Sequence, residues 1–393
     1  MFDSLLQRFG GFLKIGFLAV LALLLLIPVE MVRSMVSERD ERARNVVTEI
    51  SSKWGESQYA GAVRLDVPCE RSWTDTSGKP QKEILWIHAW PRKLDITGTM
   101  ESEIRKRGIY RVPLYVANLE MDGEFQLPDP SAMGLAAYTP RWSEARMAVD
   151  AGETQSLARP PVLTVGGNPV DLAPTGAVRS GPESVAEVRP ESRRDAMQAP
   201  HVLEREPVLR LGGAVDLGKA ASGSILPFHF QASLRGQGLL ALQPLAKVTT
   251  VRLKSDWASP SFDGRFLPST RNVRPDGFEA SWSVSSLNLD VPTTWSGTAG
   301  QGEVPYLGVR MVQPVDDYDS SDRSLKYAFL FITLTFLAFF LFETFLATNL
   351  HPVQYVLVGL ANCLFYLLTL AVAEHLGFDA AYWISAGLTT WGR

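Results

Sequence analysis

The sequence predicts a membrane-anchored, mainly β (α+β) protein, with an antiparallel β-sandwich-like domain set between transmembrane α-helices. Three observations carry that expectation. Apolar blocks occupy Phe9 to Val29 near the start, then Tyr327 to Leu346 and Val353 to Ala373 near the end. A long polar stretch, Ser37 to Ser324, separates the first block from the other two. Within that stretch apolar residues recur at every second position, the period of a half-buried strand.

The first block supplies the roughly 20 apolar residues that a hydrocarbon core of about 30 Å demands of a helix. Its one charge, Lys14, lies near its start. A lysine there reaches the headgroups on its four-carbon stem and escapes most of the roughly 3 kcal/mol charged at a span's centre. The run ends in Ile27-Pro28-Val29-Glu30 with no small-residue cleavage site, so residues 9–30 are expected to stay in the bilayer as a signal-anchor. Beyond it, Val32, Met35/Val36, Ala43, Val46/Val47, Ile50 and Trp54 recur at spacings of three and four, with Arg39 interrupting the stripe. This predicts an amphipathic helix over residues 31–55, a stalk between anchor and domain. Its charged face, Glu38 to Arg44, is expected to be solvated and laced by i,i+3 and i,i+4 pairs rather than to bind a ligand.

Residues 56–323 form the expected β domain. Leu94-Ile96-Gly98-Met100, Phe228-Phe230-Ala232-Leu234 and Phe278-Ala280-Trp282-Val284 alternate with polar neighbours. Turn-forming clusters punctuate them: Arg235 to Gly238, Ser259 to Gly264, and Pro275-Asp276-Gly277. Short strands with few helical patterns between them favour an antiparallel sandwich over a doubly wound sheet. Between Ala158 and Pro207 the chain turns rich in Pro, Ala, Gly and charge, and residues 158–207 are expected to be an extended or mobile insertion.

Composition narrows the function classes. With 393 residues, 46% hydrophobic and a formal net charge of -4, the chain lacks the basic excess of a nucleic-acid binder and the polarity of a disordered one. Nucleic acid is not an expected partner. Of two cysteines, Cys69 lies in the domain and Cys363 in a predicted span, which excludes a disulfide framework or a cysteine zinc site. Gly213 to Lys219 has the glycine and lysine spacing of a phosphate-binding loop, but Ala220 stands where a magnesium-holding hydroxyl is needed. Gly236 to Ala241 copies a dinucleotide fingerprint, but Pro244 cuts short the required helix, and a hairpin turn is the expected explanation. No GxSxG, HExxH or SxxK occurs, so no enzyme activity and no cofactor is expected. His88, His201 and His229 stand alone in sequence, and His229 falls on the polar side of its strand, where solvation is expected over metal ligation.

Ionisable groups within spans are functional candidates by default. Here they are Glu343, His351, Glu374 and His375, with Lys14 and Asn362 as the other polar groups of the membrane part. Glu343 and His351 belong near one face and Glu374 and His375 near the other, so the four are not expected to form one site. A proton path between them would need midplane relays, and Asn362 alone lies at that depth. The plainer expectation pairs Glu343 with Lys14, at similar depth in the first helix, and leaves the others to anchor helix ends.

Several long segments together resemble the CreD family of bacterial inner-membrane proteins. They include LLIPVEMVRSMVSERDERARNVVTEISSKWGESQ (Leu25 to Gln58), RGIYRVPLY (Arg107 to Tyr115), WASPSFDGRFLP (Trp257 to Pro268) and GFEASWSVSSLN (Gly277 to Asn288). PVDDYDSSDRSLKYAFLFITLTFLAFFLFE (Pro314 to Glu343) and HPVQYVLVGLANCLFYLLTLAVAEHLGF (His351 to Phe378) extend the likeness. The resemblance implies a multi-pass bacterial inner-membrane protein of cell-envelope integrity and colicin tolerance, regulated through a two-component system tied to carbon source and β-lactam response. It also supplies an orientation that the scatter of Arg and Lys does not, because Arg33, Arg39, Arg42 and Arg44 crowd the far side of the first span. Residues 1–8 are then cytoplasmic, residues 56–323 are a periplasmic domain, and residues 327–346 and 353–373 are the second and third spans. The basic residues expected in the short loop after the second span are missing from Ala347 to Leu350. Residues 380–393 would begin a fourth span that stops short, which suggests a truncated copy. The resemblance supplies no catalytic residues. The leading expectation is an envelope protein with a periplasmic binding or sensing domain, touching the lipid bilayer and an unidentified envelope protein or periplasmic ligand. A transporter or proton-coupled membrane protein using the charged C-terminal helices is the alternative.

Overall fold

The computed structural model describes residues 14–391, apart from 153, 180–206, 219, 290, 298–304, 313–316 and 347–350. The cytoplasmic segment expected over residues 1–8, the first residues of the anchor, His201 and the Ala347 to Leu350 loop lie outside the described residues. Helix α1 runs Lys14–Trp54, 41 residues. At 1.5 Å per residue it is about 60 Å long, twice what a bilayer core needs. Anchor and stalk are therefore one helix. Pro28 lacks the N–H that would reach the carbonyl of Leu24, and its ring crowds that carbonyl. The regular helix is interrupted there by a single turn residue, Leu25.

Past Gly55 the chain enters the β domain. Its strands begin with β1 (Gln58–Thr74), β2 (Pro80–Ala89), β3 (Lys93–Arg107), β4 (Tyr110–Gln126), β5 (Thr139–Pro140) and β6 (Ala145–Ala151). They continue with β7 (Leu157–Val165), β8 (Asn168–Val170), β9 (Ala173–Arg179), β10 (Pro207–Val215), β11 (Ile225–Gln237) and β12 (Leu239–Leu242). The last are β13 (Val248–Ser255), β14 (Pro260–Gly264), β15 (Thr270–Arg274), β16 (Gly277–Ser285), β17 (Thr294–Ser296) and β18 (Leu307–Met311). One sheet runs β14-β18-β12-β1-β6-β10-β9, with β2 and β5 also on β1 and β17 on β2. The other runs β15-β16-β13-β3-β4-β11-β7-β8. Long antiparallel ladders dominate, as between β3 and β4 and between β4 and β11. Two pairs, β1 with β12 and β3 with β13, are parallel. Parallel neighbours cannot be joined by a tight hairpin, and here the chain visits other strands before returning.

Alternation places the core between the sheets. Leu65, Val67 and Ile87 of the first sheet and Leu94, Ile96, Met100, Phe230 and Trp282 of the second belong to one buried cluster. Each fully buried Leu, Ile or Phe contributes roughly 2 kcal/mol from water exclusion. Trp282 satisfies its indole by donating to the carbonyl of Phe266 at 3.1 Å.

Three expectations are corrected. Gly236 to Ala241 is not a hairpin turn: β11 ends in one sheet and β12 begins in the other, and Gly238, at φ 74°, turns the corner between them. A left-handed φ of this kind costs glycine little. Pro260 to Gly264 is not a turn but the edge strand β14, paired with β18, where proline loses no ladder bond that matters. Residues 158–179 of the supposed mobile insertion lie in β7, β8 and β9, and Pro207 opens β10. Proline-rich composition was misleading because these are strands at or near sheet edges, which tolerate proline.

After β18 come α2 (Asp317–Lys326), α3 (Ala328–Leu346), α4 (Pro352–Leu376) and α5 (Phe378–Trp391). Among the described residues α1, α3 and α4 are long and apolar enough to cross a membrane. Helix α5, 14 residues, is shorter. Leu18, Leu21, Leu25, Val29, Val32 and Val36 of α1, at spacings of three and four, pack against Ile332 and Phe336 of α3 and Cys363, Tyr366 and Leu370 of α4. Gly359 brings α1 and α4 close: a Cβ there would stand 2.3 Å from a methyl of Leu25. Small residues serve close helix approach in lipid, where apolar burial alone gives no drive to associate.

Candidate functional site

Polar groups gather at the two ends of the helical bundle. At the end remote from the β domain, Lys14 Nζ forms an ion pair with Glu343 Oε1, and Glu343 is 7% exposed. Tyr355, the fourth residue of α4, donates from its hydroxyl to Glu343 Oε2 at 2.8 Å. Both carboxylate oxygens are engaged, as a charge buried in an apolar bundle requires. Nearby His351 caps α4: its ring accepts from the N–H of Val353, and the Gln354 side chain accepts from the N–H of His351.

The opposite end, toward the β domain, holds a second group. Arg39 reaches Glu374 at 3.5 Å, and Arg33 reaches Asp322 of α2 at 3.4 Å. Asp322 also holds Lys326 at 2.8 Å. His375 lies exposed in the last turn of α4, where the partial negative charge of a helix end favours it. Tyr355 and Glu374 stand on one helix, about 29 Å apart along its axis at 1.5 Å per residue. That equals the thickness of a bilayer core. The structure thus brings Lys14 and Glu343 together, and it keeps Glu374, His375 and their partners a membrane's width away. Asn362 lies between, its Nδ2 buried without a hydrogen-bond partner among the described residues. The sequence signal for Arg39 was its interruption of the apolar stripe. Tyr355 had no signal, because nothing local marks which face of α4 meets Glu343.

A third polar group lies in the β domain. Arg64 and Asp66 are two apart on β1 and share the face turned from the core, while Val63, Leu65 and Val67 are fully buried. Register places His88 of β2 opposite Asp66. Arg64 grips Asp66 with two bonds of 2.7 and 3.0 Å, and His88 Nδ1 lies 2.6 Å from the same carboxylate. Burial alone would raise the Asp66 carboxyl, but the hydrogen bonds from His88 and Arg64, with their charges, outweigh it and hold the group below its usual range. Trp295 of β17 packs against His88 and Trp90, with ring centroids 5.3 and 5.5 Å apart. Across the same sheet Arg210 grips Asp150 at 2.7 and 2.9 Å. Sequence inspection left His88 isolated, because its partner is set by strand register 22 residues away. His229, on the polar side of its strand, meets Asp122 at 2.7 Å. Among the described residues no three His, Cys, Asp or Glu side chains gather as a metal site.

A family profile described as Inner membrane protein CreD matches residues 11–391. The chain belongs to the CreD family. Inner membrane protein CreD of Escherichia coli (strain K12) is 30% identical over 371 residues, covering 93% of this chain and 76% of that relative. Among solved structures, a mutant M1 zinc metallopeptidase of Deinococcus radiodurans bound to a Tyr-ser-ala substrate aligns with TM-score 0.26 and 10% identity, over 56% of this chain and 42% of its own. The M1 zinc metallopeptidase of the same organism aligns with TM-score 0.26 and 12% identity, over 56% of this chain and 41% of its own. So slight an overlap carries no argument. CreD membership and three candidate spans make this an inner-membrane protein.

Proposed function

We propose that this CreD-family chain is a non-catalytic cell-envelope protein whose β domain, held in the periplasm, binds or senses an envelope component. The observation that carries this reading is the ordered junction between α1 and the domain. Trp54, the last residue of α1, lies under Arg105 of β3 and Arg235 of β11, with guanidinium carbons 4.0 and 5.1 Å from its ring centre. Its indole N–H points to the carbonyl of Tyr115 at 3.4 Å, and Glu49 pairs with Arg107 at the end of β3. A mere tether needs no such clamp. A rigid helix seated on one sheet transmits a displacement of the domain to the bundle it penetrates. The domain's carboxylates Asp66, buried, and Asp150, half-buried, are each gripped by a guanidinium, which suits a structural or recognition surface better than acid–base chemistry.

The test is orientation in cells. In a chain lacking Cys69 and Cys363, single cysteines at the exposed positions Ser77 and Arg271 are expected to react with a thiol reagent that cannot cross the inner membrane, while Thr348→Cys stays protected. Protection at Ser77 and Arg271 with reaction at Thr348 overturns the reading.

A further inference from the structure

Where α2 meets α5, the end of the bundle toward the β domain carries an open cavity of about 300 Å³, lined by Ser320, Arg323, Ser324, Tyr327, Phe378 and Tyr382. The size is that of a small-ligand site. Ser320, Arg323, Ser324 and Tyr327 follow the three- and four-residue spacing of one helix face, and Phe378 and Tyr382 are four apart on α5. One wall is therefore polar and cationic, the other aromatic. The cavity sits at the water–hydrocarbon boundary. The charges of Arg33, Asp322, Lys326, Arg39 and Glu374 stand at this level. Immediately beyond Tyr327 the exposed surface turns apolar with Phe329, Leu330 and Phe331, and the exposed aromatics Tyr382 and Trp383 continue the belt on α5. Asp322, the carboxylate next to Arg323 in sequence, is already neutralised by Arg33 and Lys326.

We propose that this cavity is a phospholipid site, in which Arg323 and the hydroxyls of Ser320 and Ser324 take the phosphate of an anionic phospholipid. The acyl chains lie on the apolar surface that begins at Phe329. A guanidinium carries five N–H donors in a planar fork, enough to hold a protein neighbour and a phosphate together. Tyr327 and Tyr382 supply the amphipathic rim that such a boundary favours. The occupant is a lipid rather than a free anion because exposed apolar residues, Phe329, Leu330 and Phe331 after Tyr327 and Trp383 after Tyr382, directly follow the lining residues in the chain.

The experiment uses the full chain in detergent, with phosphatidylglycerol added and bound lipid counted by mass spectrometry of the intact protein. Wild type is expected to retain one phosphatidylglycerol, and Arg323→Gln to retain it about tenfold more weakly, as loss of a charge-assisted bond implies. Arg323→Lys keeps part of the binding. Equal retention by wild type and Arg323→Gln overturns the proposal, as does inorganic phosphate displacing the lipid at equimolar concentration. A photoreactive phosphatidylglycerol on the wild-type chain gives a readout independent of variant folding. Label concentrated in residues 320–327 and 378–382 supports the site, and label spread evenly along α3 and α4 overturns it.

Discussion

Lys14 and Glu343 stand in an apolar bundle, and the two are not equivalent. Glu343 has a side chain 8% exposed, whereas that of Lys14 is 31% exposed and can reach toward the headgroups. Lys14→Leu strands a buried carboxylate and is expected to cost roughly 3 kcal/mol of bundle stability. Glu343→Leu alone costs less, and the double variant recovers much of the loss. Additive effects in the double-mutant cycle, read by thermal unfolding in detergent, reject the pairing. Asp66 gives a test by pH. A carboxyl held below its ordinary value contributes stability that is complete above about pH 4 and is lost as the pH falls through its folded value. Asp66→Asn is therefore expected to cost about 2 kcal/mol at pH 7, measured by the domain's denaturant unfolding, with the deficit shrinking below pH 4. A deficit constant down to pH 2 rejects the account. The Lys14 and Glu343 pair was legible from matching depth in two predicted spans. The Asp66 and His88 pair was not, because strand register is a non-local property.

Among the elements, α1 links everything else. Its apolar spacing and the interruption at Arg39 were visible in the sequence, but its continuity as one 41-residue helix through Pro28 and the reason for Arg39, a partner on α4, were not. Trp54 closes the helix against the domain. Trp54→Ala removes two cation–π contacts and an indole hydrogen bond, and is expected to lower the domain's stability by about 2 kcal/mol. Cleavage near Lys53 should also become faster in limited proteolysis. An unchanged cleavage rate contradicts the clamp. The period-two strands at Leu94 to Met100, Phe228 to Leu234 and Phe278 to Val284 lie within β3, β11 and β16. Pro275-Asp276 is the two-residue turn of the hairpin joining β15 and β16. Turn-like composition misled where proline and glycine serve edge strands or a corner between sheets, as at Pro260 to Gly264 and Gly238.

For the whole molecule, the charge pairs at Glu343 and Glu374 bracket a slab about 29 Å thick, and the β domain lies beyond one side of it at the end of a helix twice that length. The ladder between β3 and β13 shows why the sheet order escapes a reading of local pattern: partners about 155 residues apart lie in register, Val248 opposite Lys93. Alternation says which face of a strand is buried, but a period of two is the same for parallel and antiparallel neighbours.

Hydrophobic spacing established the apolar segments, the amphipathic helix after the first of them and the strand-rich middle, and a set of specific segments such as Leu25 to Gln58 carried the family likeness, because each depends on residues close in the chain. Folding in three dimensions decided the two sheets and their two parallel pairs, the Asp66–His88–Arg64 group, the partners of Arg39 and Tyr355, and the cavity beside Arg323. Those arise where distant segments meet, and contact between them depends on packing and register that no short stretch of chain encodes.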